Sequence, residues 1–176
     1  MDKALLEEQL AELPLYTYFF FSTEELEFSD RIRWICEHEC PMYGKSWACP
    51  PGVGTVEQCK GKCLGYRQGL CVSTIVEVPD ISDIQCCLDT RGDHEAVTEE
   101  VAALLRQQGV EPYILSTESC AVCETCAYPH APCRRPERMH PCVESQGIVL
   151  SQLAERYGIE FQYGDNVVTW FSLLLY

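Results

Sequence analysis

An α/β or α+β fold, a small sheet covered by helices with two cysteine-rich metal-binding loops at one end, is what the sequence predicts. Three observations carry it. Four runs rich in β-branched and aromatic residues, LYTYFFFS, GLCVSTIVEVPD, VEPYILST and VVTWFSLLLY, read as strands. Segments with helical spacing alternate with them. Most of the thirteen cysteines gather in two stretches between these elements.

The elements follow in order. Residues 2–13 place Leu5, Leu6, Leu10 and Leu13 on one helical stripe that Pro14 ends. The first strand leads into STEEL, where Ser22 or Thr23 followed by acids is a capping start. The first cysteine region begins at Trp34, and its prolines and glycines predict loop. A helix starts near Thr55 and carries Cys59 and Cys63 on one face. The next strand holds Val72, Ile75, Val76 and Val78. HEAVTEEVAALLRQQG is the clearest helix, with Val97, Val101, Leu104 and Leu105 as its stripe and Gly109 at its stop. The third strand runs into the second cysteine region. A helix over 142–158, stopped by Gly158, and the final strand complete the chain. The expectation is one metal-binding domain over residues 1–176.

The composition, 47% hydrophobic and 23% charged, is that of an ordinary folded chain. The net charge of −14 and the scattered basic residues argue against nucleic acid and against anionic lipid surfaces. The acidic N-terminus has no apolar h-region, and the apolar tail is about half the length of a membrane-spanning helix. A cytoplasmic location is expected. Thiols are kept reduced there, so this many cysteines, odd in number, argue for metal or catalysis and against a disulfide framework.

The second region, SCAVCETCAYPHAPCRRP, spaces Cys120, Cys123, Cys126 and Cys133 as Cys-x2-Cys-x2-Cys-x6-Cys. Tandem Cys-x2-Cys steps with a more distant fourth thiol favour a [4Fe–4S] cluster. Structural zinc sites more often use two separated knuckles, and zinc stands as the alternative, with Cys133 or His130 as last ligand. Arg134 and Arg135 adjoin Cys133 and could offset cluster charge, or be plain surface arginines. The first region gives Cys36, Cys40 and Cys49, with Cys59 or Cys63 as a fourth ligand or as small buried hydrophobes. His38 lies between ligands and could coordinate or be solvated. Cys71, Cys86, Cys87 and Cys142 read mostly as packing residues, Cys142 being close to the second set.

These residues resemble a prokaryotic family catalogued as domain of unknown function 2284, whose members are labelled predicted metal-binding proteins and are common in anaerobes. The resemblance rests on Cys36, Cys40-Pro41, Tyr43-Gly44 and Cys49-Pro50-Pro51. It rests equally on Cys120, Cys123, Cys126, Pro132-Cys133-Arg134, Pro136 and Glu144 through Gly147-Ile148. It spans nearly the whole chain and implies a metal protein with seven cysteine ligands, three and four. Cys142 stands where the family tends to have serine, so it is not carried over as a ligand. Cys59 and Cys63 lie outside the motif.

Two functions follow. One is electron transfer or redox coupling through two [4Fe–4S] clusters, with a redox partner protein docking on the acidic surface. The other is an enzyme whose first cluster, held by three cysteines, keeps one iron open as a Lewis acid. Glu37, His38, Glu39, Tyr43 and Lys45 would then bind substrate or move protons. A zinc-binding interaction module is the third reading. No Ser-His-Asp array or HExxH is present, and the Gly52–Gly54 stretch is too short for a nucleotide fingerprint. An exposed final strand could pair two copies as a homodimer.

Overall fold

Strands β1 (Thr17–Ser22), β2 (Gln68–Glu77), β3 (Tyr113–Leu115) and β4 (Val167–Leu175) form one antiparallel sheet in the order β1-β2-β4-β3. The computed structural model describes residues 1–161 and 163–176. The fold is α+β. Phe21 pairs with Gly69, Leu70 with Leu174, and Ile114 with Leu174 from the other side. Gly69 has a steric reason: a Cβ there would lie 2.2 Å from the Phe21 ring.

Period-two alternation sends successive strand residues to opposite faces. One face carries Leu70, Val72, Ile114 and Leu174 against Leu6 and Leu10 of α1 (Lys3–Leu10) and Val101, Ala102 and Leu105 of α5 (Arg91–Gln107). The other carries Phe19, Phe21, Cys71, Phe171, Leu173 and Leu175. Against it pack Cys63 of α3 (Val56–Cys63), Leu150 and Leu153 of α6 (Leu150–Arg156), and Val143 and Ile148. The first cysteine loop leads into α3 on this second face, while the second reaches round to α5, where Arg91 donates to the Ser119 carbonyl.

Most expected elements are present, and four points differ. Residues 30–38, partly read as loop, form α2 (Asp30–His38), which starts at Ser29 as its side chain accepts from the Arg31 N–H at 3.2 Å. Ile32, Ile35 and Cys36 fall at helical spacing, but the register buries none of them and Trp34 and Ile35 are 51% and 39% exposed; the prolines and glycines that follow favoured the loop reading. A short helix α4 (Ile84–Asp89), likewise without buried residues, was unforeseen. The expected helix over 142–158 is instead a 3-10 turn at Glu144–Gln146 followed by α6. Gly147 adopts the left-handed conformation at φ 79°, and Ile148 is drawn into a bridge with Phe28. The final strand is an interior strand bonded on both sides, so it is not the exposed edge the sequence suggested; β1 and β3 are the edges.

α3 starts at Thr55 as expected, and the structure adds a capping box between Thr55 and Gln58. Among the described residues no helix is long and apolar enough to cross a membrane.

Candidate metal centre

The first cysteine loop leaves α2 as a chain of tight turns. Cys36 lies in the last turn of α2, Cys40 just beyond its end, and Cys49 is buried on the far side of the loop. The loop is closed by the Gly44 N–H to the Pro50 carbonyl at 2.8 Å and the Cys49 N–H to the Ser46 carbonyl at 3.2 Å. At Gly52 a Cβ would lie 2.8 Å from the Ser46 oxygen, so the turn has room for glycine.

These three thiols share one neighbourhood. Burial pushes the Cys49 thiol up to about 12, and the Cys40, Cys36 and Cys120 thiols and the Glu118 carboxylate add to the rise. Burial also raises Cys36, with Cys40 and Glu144 adding and the Arg33 guanidinium opposing. Cys49 therefore stands where the two cysteine loops meet.

The second loop begins where β3 ends. Ser116 bridges to Cys142, and Arg91 donates to the Ser119 carbonyl at 2.9 Å. Cys120, Cys123, Cys126 and Cys133 then line one small cavity of about 20 Å³, together with Ser46, Met139, Arg134 and Arg135. Arg134 also donates to the Thr125 carbonyl within the loop. Burial raises Cys120, helped by Cys133, Cys126 and Cys123. Cys126 is the exception. Burial alone would raise it, but the Tyr128, Trp47 and Ala127 backbone N–H groups and the Ser46 hydroxyl hold it below its ordinary value. Two of those donors, Ser46 and Trp47, come from the first loop. The same loop sends the Trp47 indole N–H to the Ala131 carbonyl at 3.0 Å and sets its ring edge-on to Tyr128.

Cys59 and Cys63 sit elsewhere, on α3. The Cys59 thiol is 3.5 Å from the Val53 carbonyl and 3.6 Å from Arg33 Nη2, and Cys63 is fully buried in the core. Burial first, then Cys59, pushes Cys63 up to about 12. Cys59 lines a separate cleft of about 530 Å³ whose far wall includes Cys133. His38 stacks on Trp34 at the exposed end of α2. Cys142, read as packing, lies beside Cys49 and Glu144: burial raises its thiol well above the ordinary value, and the two neighbours add to it. Its closeness to the second set in HPCVES was the one signal. Among the described residues, no three Cys, His, Asp or Glu side chains stand in the arrangement of a single-ion site.

The sequence profile of the family described as predicted metal-binding protein (DUF2284) matches residues 20–176. The chain belongs to that family. As a DUF2284 member it is a cysteine-rich protein of a predicted metal-binding family, and all seven cysteines of the double motif fall within the matched region. No curated protein and no solved structure matches the chain.

The donor set of this DUF2284 chain fits a thiolate-bound metal centre, iron–sulfur or zinc. Four thiols face one cavity, N–H and O–H donors converge on one of them, and two arginines stand on the same wall. Metal ligation requires the thiolate, and donors to sulfur favour that form.

Proposed function

We propose that the chain carries two [4Fe–4S] clusters and passes electrons to a protein partner. The cavity lined by Cys120, Cys123, Cys126 and Cys133 is the observation that carries this reading. The Cys-x2-Cys-x2-Cys spacing wraps the backbone around it, and those four thiols would hold the second cluster. Cys36, Cys40 and Cys49 would hold the first. A bound cubane supplies a site that takes up and releases one electron. The chain itself supplies burial, the hydrogen bonds to Cys126, and Arg134 and Arg135, all of which set the ease of reduction. Contact between the loops at Cys49 and Cys120 would place the clusters close together. The charge of −14 favours a basic redox partner through electrostatic steering. All thirteen cysteines are free thiols, which suits a reducing compartment such as the cytoplasm.

A second reading, an enzyme, has its own observation. A cleft of about 410 Å³ adjoins Cys120, with Glu95, Glu99, Ser116, Arg138 and His140 among its lining residues. His140 Nε2 lies 2.6 Å from Glu99 Oε1, a pair able to move a proton. The cleft could seat a small polar substrate beside the second cluster.

Anaerobic purification followed by iron, sulfide and zinc assay tests the proposal. Two cubanes predict about eight irons and eight sulfides per chain with broad brown absorbance. Zinc in their place, with no sulfide, overturns both readings and leaves a structural or interaction module.

A further inference from the structure

The first centre has three cysteines from its own loop, and the fold brings a fourth to it from the opposite half of the chain. We infer that Cys142 is the fourth thiolate of the first centre, closing it as Cys36, Cys40, Cys49 and Cys142. This inference rests on the iron–sulfur reading above and goes beyond it: no iron of the first centre is left open to substrate.

The backbone around Cys142 is held from both sides. The Ser116 N–H donates to the Pro141 carbonyl at 2.8 Å, and the Val143 N–H returns to the Ser116 carbonyl at 3.1 Å. That pairing ties Cys142 to the root of the second cysteine loop. On the other side, the Ser29 N–H donates to the Gly147 carbonyl at 2.8 Å, and Arg33 Nη2 donates to the Ser145 carbonyl at 2.7 Å. Both donors belong to the start of α2, the helix that carries Cys36. The segment 141–147 is therefore clamped between the two cysteine loops, with Cys142 at its head.

The thiol is also oriented. Cys142 Sγ accepts the Ser145 N–H at 3.3 Å, while the Ser145 hydroxyl donates to the Cys142 carbonyl at 2.6 Å. An N–H aimed at sulfur favours thiolate and is a common device around iron–sulfur ligands. Its neighbours Cys49 and Glu144 belong to the same cluster of groups, and Glu144 in turn adjoins Cys36. The competing thiols are committed elsewhere. Cys59 faces the Val53 carbonyl and Arg33, and Cys63 lies among apolar side chains.

The placement agrees: Arg33, one turn before Cys36 on α2, reaches the Ser145 carbonyl beside the Cys142 segment. Thiolates bind iron more readily than carboxylates do. Cys142 therefore takes the ligand position, and Glu144 stands beside the centre.

The test compares anaerobically purified wild type with Cys142→Ala, Cys59→Ala and Glu144→Gln. The readouts are iron and sulfide per chain and low-temperature EPR of oxidised and reduced protein. The inference expects Cys142→Ala to lose between one and four of the irons and to change the EPR of one cluster, giving a three-iron signal or none. The second cluster's signal should persist. Cys59→Ala and Glu144→Gln should keep wild-type iron. Unchanged iron and EPR in Cys142→Ala overturns the inference, as does the same loss in Cys59→Ala or Glu144→Gln. If Cys142→Ala does not fold, Cys142→Ser decides: an altered signal from one cluster supports the inference, and an unaltered one overturns it. The wild type tests the underlying reading separately. Should it hold zinc without sulfide, the iron–sulfur reading fails, and a lower zinc content in Cys142→Ala still marks Cys142 as a ligand while equal zinc removes it.

Discussion

Trp47 of the first cysteine loop donates its indole N–H to the carbonyl of Ala131, between Cys126 and Cys133 in the second loop, at 3.0 Å. Its ring meets Tyr128 edge-on with centroids 4.8 Å apart. One side chain thus fastens the two loops together, and the backbone N–H of the same residue supports Cys126. The loops form one unit in which the first shapes the surroundings of the second.

Replacing Trp47 with Phe tests that coupling. Phe keeps an aromatic ring but has no N–H to donate, which costs about 1 kcal/mol where a partner is left unpaired. The Ala131 turn should loosen, although the sequence of the second loop is untouched. The expected outcome is faster release of metal from the second centre to a chelator, with the first centre unaffected. Equal release rates in wild type and Trp47→Phe would show that the loops do not act together.

His94 makes stability depend on pH. Its ring is buried where α5 packs on the sheet, with Nδ1 2.9 Å from Thr74 Oγ1 and Nε2 2.8 Å from Ser172 Oγ. Thr98 completes the surround, so β2, β4 and α5 each face it with a hydroxyl and none with a charge. Burial lowers its pKa to about 4 from the usual 6.5, the Phe171 backbone opposing. The unfolded chain therefore binds more protons between these values. His94 contributes fully above pH 6.5, and its contribution falls as pH drops toward 4, by about 3 kcal/mol at most. Denaturant unfolding at pH 7 and pH 5 should show a larger loss in wild type than in His94→Gln. Parallel losses would remove His94 as the cause.

Cys63 and Cys126 should separate packing from ligation. Cys63 has no exposed surface and sits among Phe19, Leu173 and Leu175 in the core. Cys63→Ala removes one buried sulfur and should lower stability by about 1 kcal/mol while metal content stays at the wild-type level. Cys126→Ala should do the reverse, stripping the second centre of metal with little direct effect on the sheet. Metal analysis and thermal unfolding of both variants check this. Metal loss in Cys63→Ala would return α3 to the list of ligand sources.

Much of the fold was legible before any coordinates. The strands announce themselves through alternation and β-branched content, as in Leu70 and Val72 facing one way and Cys71 the other. α5 is legible because its stripe is buried. α2 was missed because its Ile32, Ile35 and Cys36 run straight into the Pro- and Gly-rich cysteine loop, which masked both that short stripe and the Ser29 cap. The helix expected over 142–158 was broken by a distant partner, Phe28, whose pairing with Ile148 no local pattern records.

The sequence by itself determined the chemistry of this chain: its seven motif cysteines, their spacing and the family they mark. Spacing is local, so a Cys-x2-Cys-x2-Cys run states which thiols can share one centre without any knowledge of the fold. Tertiary structure alone decided which distant segments meet. It placed the final strand inside the sheet, buried Cys63 and brought Cys142 beside Cys49 across more than ninety intervening residues. Those outcomes depend on strand order and on hydrogen bonds such as Ser116 to Pro141, which join residues that the chain keeps far apart.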